Sequence, residues 1–157
     1  MRIASSSRTA QLEAIRPKLL AYCPSRREIV AAYLFGSAAR GQAGPLSDLD
    51  FAFLLERRRT RLTGSLAYQA ARLTDLMALL GTNKIDLVVL PCASPVLEHR
   101  ILRDGALLYC RNDRQRLAFE ERALRTFLDL KPFYDHQTRQ FFERLSATAA
   151  RRQVRHG

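Results

Sequence analysis

FGSAARGQAGPLSDLD, residues 35–50, joins two apolar runs through a glycine, a serine and a small polar loop, and ends on paired aspartates. Upstream, Ile29-Val30-Ala31-Ala32-Tyr33-Leu34-Phe35 has the length and composition of a buried strand that stops at Gly36. Downstream, Asp48 to Leu55 (DLDFAFLL) is apolar once its acids are passed, and predicts a second strand. Between them, Ser37 to Gly41 predicts a short helix, and Gly44-Pro45 breaks the chain before the second strand. Carboxylates two residues apart on a strand leave the same face. They repel one another, and aspartate is a poor strand former. Folding alone does not ask for that.

The rest of the pattern alternates helix and strand. A helix is predicted within residues 8–22, with Pro17 kinking it or resetting its start. Residues 65–80 (SLAYQAARLTDLMALL) carry apolar side chains at helical spacing and finish at Gly81, a natural C-cap. Lys84 to Leu90 predicts a third strand, closed by Pro91. Ser94-Pro95 then supplies an N-cap and a first-turn proline for a helix to about Arg103. Asp104-Gly105 turns the chain into a short fourth strand, Ala106 to Cys110. From Asn112 onward the pattern is helical, in two segments split at Lys131-Pro132. The expected fold class is α/β (α+β), a small mixed sheet of about four strands packed with helices. A length of 157 residues suits a single domain over 1–157, with 112–157 as its C-terminal helical segment.

Composition narrows the chemistry without naming it. The formal net charge is +11 and the pI about 10.6, which favours polyanions or an acidic protein face as partners. The densest basic runs, residues 56–61 and 151–156, have no interleaved aromatics, so a base-stacking surface is not indicated. A solvated loop and a basic tail are the plainer reading, and direct nucleic-acid binding stays open. No stretch resembles a membrane span, and the N-terminal residues lack the apolar core of a secretory signal. Cys23, Cys92 and Cys110 form no CxxC pair, and reduced thiols in a cytoplasmic protein are expected. His99, His136 and His156 have no Cys or His partner at zinc-ligand spacing.

Two readings of Asp48 and Asp50 stand side by side. In one, either acid caps the preceding turn and the other meets an arginine. In the other, a cation sits between them. Asp86 bears on the choice, because it too is a single acid near the start of an apolar strand. If the second and third strands pair, Asp86 lies beside Asp50 and completes a three-carboxylate cluster. Such clusters suit hard divalent cations. Two Mg²⁺ ions about 3.5–4 Å apart clamp the attacking and leaving oxygens of an in-line phosphoryl or nucleotidyl displacement. Gly36-Ser37 offers the complementary half: close backbone approach to a phosphate, the N–H groups of a helix start, and a hydroxyl donor.

The series Leu34-Phe35-Gly36-Ser37, Arg40-Gly41, Ser47-Asp48-Leu49-Asp50-Phe51 and Lys84-Ile85-Asp86-Leu87-Val88 resembles the nucleotidyltransferase superfamily that includes DNA polymerase β. Within it, the sequence is most similar to the minimal nucleotidyltransferases of the MntA antitoxin type. Chain length and the stretch Phe127-Leu128-Asp129-Leu130-Lys131-Pro132 also look like that group. The resemblance implies that Asp48, Asp50 and Asp86 are catalytic and bind Mg²⁺. It implies nucleotide contacts at Gly36 and Ser37, and extends them to Arg40 and Ser47, with Arg40 equally readable as an ordinary exposed arginine. It further implies transfer of AMP from ATP to a tyrosine of a HEPN-fold RNase toxin of the HepT type, in a hetero-oligomer with that toxin. The alternatives are nucleotide transfer to a small molecule or an RNA end, and an antitoxin that neutralises by binding alone.

Phe119, Phe127, Phe133, Phe141 and Phe142 all follow residue 115. Phe119 and Phe127 are expected in the core. Phe133, Tyr134, Phe141 and Phe142 lie beyond the Lys131-Pro132 stretch and are expected to dock on a partner protein.

Overall fold

The computed structural model describes residues 3–42, 47–56, 66–90 and 92–154. Four strands, β1 (Ile29–Phe35), β2 (Leu49–Leu55), β3 (Ile85–Leu90) and β4 (Ala106–Cys110), form one sheet in the order β3-β2-β1-β4. β1 runs antiparallel to both β2 and β4, whereas β2 and β3 are parallel. The expected mixed sheet of four strands is therefore present. Helices α1 (Ile3–Tyr22), α2 (Gly36–Ala39), α3 (Leu66–Leu80), α4 (Pro95–Asp104) and α5 (Asp113–Val154) accompany it.

Period-two alternation divides the apolar side chains between the two faces of the sheet. Phe51, Phe53, Leu55, Ile85 and Val89 join Leu19 of α1 and Leu76 of α3 in one buried cluster. Ala52, Leu54 and Leu90 join Ile101 of α4 and Phe119 and Ala123 of α5 in the other. A register shift in β1 between Ile29 and Ala31 puts Val30 and Ala31 on the same face. Even-numbered residues of β2 and β3 thus face α4. Asp50 and Asp86 share that parity.

Polar ties fix the helices to this frame. Tyr22 Oη donates to Asp75 Oδ2 at 2.7 Å, and Tyr68 Oη donates to Glu28 Oε1 at 3.1 Å. Arg72 lies within ion-pair distance of both acids, at 3.7 Å from Glu28 and 3.3 Å from Asp75. Across the sheet, Tyr33 Oη donates to Glu120 Oε1 at 3.0 Å, and Arg116 bridges Glu120 and Asp113 at 2.8 Å each. Ser94 caps α4 as expected, its hydroxyl accepting the Leu97 N–H at 3.3 Å.

The split expected at Lys131-Pro132 is absent, and α1 is not reset at Pro17. α1 begins at Ile3 and carries Pro17 inside it, and α5 carries Pro132 inside one helix rather than ending there. An internal proline deletes one backbone hydrogen bond and leaves the carbonyl four residues earlier unpaired. Those carbonyls belong to Glu13 and Leu128, both exposed residues, where solvent is at hand to replace the lost donor. Strong helix formers on both sides carry the helix through.

The chain forms two compact units, Met1–Ala123 and Leu124–Gly157. The first holds the sheet. Within the second, Lys131 pairs with Asp135, and two edge-to-face aromatic pairs form, Phe133 with Tyr134 and Phe141 with Phe142. Three free cysteines are present, Cys23 buried, Cys92 exposed and Cys110 between. No helix among the described residues is long and apolar enough to cross a membrane. The basic run at 56–61 lies, beyond Glu56, outside the described residues, as do Gly44-Pro45, Pro91 and the end of the basic tail at 155–157.

Candidate active site

β1 delivers Gly36-Ser37, and β2 and β3 deliver the acids to the same edge. Phe35 pairs with Asp50 across the antiparallel ladder, and Asp50 pairs with Asp86 across the parallel one. The backbone register alone sets these positions. Asp48 lies one residue before β2 and is exposed. Asp50 is half-buried, and Asp86 is exposed within β3.

Gly36 is required by this arrangement twice over. Its φ is +70°, a left-handed conformation that side chains disfavour. A Cβ built there would also fall 1.9 Å from Asp50 Oδ2 and 2.8 Å from its Cγ. The Asp50 carboxylate therefore lies directly on the glycine backbone. Gly36 opens α2, whose N-cap residue Phe35 supplies no side-chain acceptor. The first N–H groups of a helix lack intrahelical partners, so this turn offers donors to an anion.

Electrostatics at Asp50 express the crowding. Burial, then the charges of Asp86 and Asp48, push its carboxyl above the usual carboxylate range, and Arg40 partly offsets them. Asp86 and Asp48 thus both act on Asp50 at one sheet end. Among the described residues, no group of three or more His, Cys, Asp or Glu side chains forms a ready-made metal cage. The donor set nevertheless fits Mg²⁺, which takes one or two carboxylates and completes its shell with water and substrate phosphates. A cation arriving with a nucleotide would relieve the repulsion at Asp50.

Arg40 follows α2 and is exposed, its Nε donating to Gln42 Oε1 at 3.2 Å. Its charge opposes the upward push on the Asp50 carboxyl. Ser47 is half-buried at the entry to β2, two residues before the strand begins. The motif reading did not point to Arg100, Arg103 and Asp104, which lie at the end of α4, where Gly105 abuts the Leu34 carbonyl of β1. Their signal in the sequence is helical spacing, i, i+3 and i+4, at a helix end.

A profile of the family described as polymerase beta, nucleotidyltransferase matches residues 17–114, and the chain belongs to that family. The protein adenylyltransferase MntA of Aphanizomenon flos-aquae (strain 2012/KM1/D3) is 29% identical over 126 residues, covering 78% of this chain and 82% of the relative. Among solved structures, a toxin–antitoxin crystal structure with AMP-PNP superposes with a TM-score of 0.69 at 21% identity, covering 81% of this chain and 98% of the other. The MNT antitoxin complex with the tri-AMPylated HEPN toxin of Shewanella oneidensis superposes at 0.62 and 20% identity, covering 86% and 98%. These structural likenesses establish a shared fold.

Proposed function

We propose that this protein is an antitoxin that transfers AMP from ATP to a tyrosine of a HEPN-family RNase toxin and thereby silences it. The observation that carries the transfer chemistry is the alignment of Phe35, Asp50 and Asp86 in adjacent strands, with Gly36 pressed on the Asp50 carboxylate. The adenylyltransferase relative supports AMP as the group moved, and the toxin complexes of like fold support the acceptor.

In this reading the Gly36-Ser37 turn holds the triphosphate through backbone N–H groups and the Ser37 hydroxyl, with Arg40 and Ser47 beside it. Asp48, Asp50 and Asp86 would hold Mg²⁺, which supplies charge neutralisation at the phosphates and lowers the barrier to in-line displacement. Asp86, exposed on β3, accepts the proton of the incoming tyrosine hydroxyl. The tyrosine oxygen bonds to the α-phosphorus, and the bond from that phosphorus to the bridging oxygen breaks. Pyrophosphate leaves with that electron pair.

Substitution of Asp48 and Asp50 by Asn tests the reading. Co-expressed with its toxin, the variant is expected to lose neutralisation while still binding the toxin in pull-down. Retained neutralisation would show an antitoxin that works by contact alone. The +11 charge favours a polyanionic acceptor as the second reading, and labelling of an RNA end in place of the toxin would establish it.

A further inference from the structure

The acids occupy one end of the sheet, and the other end carries the opposite charge. β1 enters at Ile29 and leaves at Phe35 for the Gly36-Ser37 turn. At its entry, Ile29 pairs with Leu55, where β2 finishes, and Ala31 pairs with Cys110, where β4 finishes. The connection into β1 carries Arg26 and Arg27, and the connection out of β4 carries Arg111 and Arg114. Printed in the backbone, the two meet. The Ile29 N–H donates to the Arg26 carbonyl at 2.9 Å, and the Arg111 N–H donates to the Val30 carbonyl at 2.8 Å. Arg111 Nε then donates to the Ile29 carbonyl at 3.3 Å, so its side chain lies along the start of β1. Arg114 follows in the first turn of α5.

The acids at this end already have partners. Glu28 lies 3.7 Å from Arg72 and accepts the Tyr68 hydroxyl proton. Asp75 is matched by Arg26 at 3.2 Å and Arg72 at 3.3 Å, and Asp113 by Arg116 at 2.8 Å. Arg27, Arg111 and Arg114 are exposed, and none joins an ion pair among the described residues. Three unmatched positive charges therefore face solvent. β1 is seven residues long, which sets roughly 20 Å between this surface and the Gly36-Ser37 turn. A nucleotide held at the acids does not span that distance.

We infer that Arg27, Arg111 and Arg114 form a second, non-catalytic surface that holds the phosphate backbone of duplex RNA. Guanidinium forks suit phosphate oxygens. Residues 26–27 and 111–116 include no aromatic side chain, so unpaired bases find no stacking platform there. They include no large apolar side chain either, whereas protein partners gather around such anchors. What remains is contact with a paired backbone, independent of sequence. RNA is the duplex chosen because the toxin proposed as partner is an RNase, and on that point the inference rests on the antitoxin reading.

The test is fluorescence anisotropy of the full-length protein with a labelled RNA duplex two helical turns long, across a salt series. Arg27→Ala/Arg111→Ala/Arg114→Ala is expected to bind at least about tenfold more weakly, with the logarithmic salt slope reduced by about one unit per arginine. Arg27→Ala/Arg114→Ala spares the Arg111 bond to Ile29, so it carries the test if the triple variant melts below the wild type. Its slope is expected to fall by about two units. Lys131→Ala/Arg139→Ala removes two cations elsewhere and is expected to bind as the wild type does. An equal loss in that variant would overturn the inference as a general electrostatic effect. So would undiminished binding by the double variant, or a wild type that binds no RNA duplex. Equal or tighter binding of polyglutamate would replace RNA by an acidic protein, and equal or tighter binding of a DNA duplex of the same sequence would overturn the choice of RNA. Labelling of the toxin from ATP is expected at the wild-type rate in the double variant, so RNA binding and AMP transfer fail separately.

Discussion

A Cβ at position 36 has no room beside the Asp50 carboxylate. Replacing Gly36 by Ala forces a Cβ into the Asp50 carboxylate, 1.9 Å from Oδ2, at a φ of +70°. Nucleotide transfer by Gly36→Ala is expected to fall by at least about a hundredfold, because displacing a catalytic group by about 1 Å has that effect. Stability should drop by about 1–2 kcal/mol from the left-handed conformation, measurable by urea denaturation. Glu98 makes a different residue-scale prediction. Burial pushes its carboxyl up to about 6 from an ordinary 4.5, with the Arg122 charge opposing. A raised folded pKa means the native state holds the proton more tightly than the unfolded chain does. The resulting stabilisation is complete below about 4.5 and is lost as pH rises through about 6. Glu98→Gln removes the titration. Its stability relative to wild type should therefore rise between pH 4.5 and 7, as read by denaturant midpoints at each pH.

At the scale of elements, α4 packs through Ile101 on the sheet face that carries Ala52, Leu54 and Leu90, and its start is secured by Ser94. Ser94→Ala leaves the Leu97 N–H without its side-chain acceptor and should cost about 1 kcal/mol. Much of this architecture was legible in the sequence because each element carried a local signal. The apolar run of β1 ended at a glycine, the apolar period of α3 ended at Gly81, and Ser94-Pro95 announced α4. The carboxylate site was legible because strand parity and register are simple: once β2 and β3 pair, Asp50 and Asp86 are opposite. The split at Lys131-Pro132 was misread because one lost hydrogen bond on an exposed face is outweighed by the flanking helix. The cluster of Arg100, Arg103 and Asp104 was illegible for another reason. Its place beside β1 depends on Gly105 seating the end of α4 against the Leu34 carbonyl, a tertiary contact with no local signature.

Over the whole molecule, the residues proposed for transfer all lie in the unit Met1–Ala123. Leu124–Gly157 contributes exposed Phe133, Phe141 and Phe142, each more than half accessible. Removing residues 132–157 is expected to leave AMP-PNP affinity unchanged and to weaken toxin binding by at least about tenfold, since buried aromatics dominate protein interfaces. Unaltered toxin affinity would place the docking surface elsewhere. The central claim is transfer itself. Incubating the full-length protein with its toxin, Mg²⁺ and isotope-labelled ATP, then mapping the label by mass spectrometry, tests it most directly. The account predicts AMP on a tyrosine of the toxin, and none when Asp48 and Asp50 are replaced by Asn. An unmodified toxin, with both proteins folded and bound to one another, would contradict it.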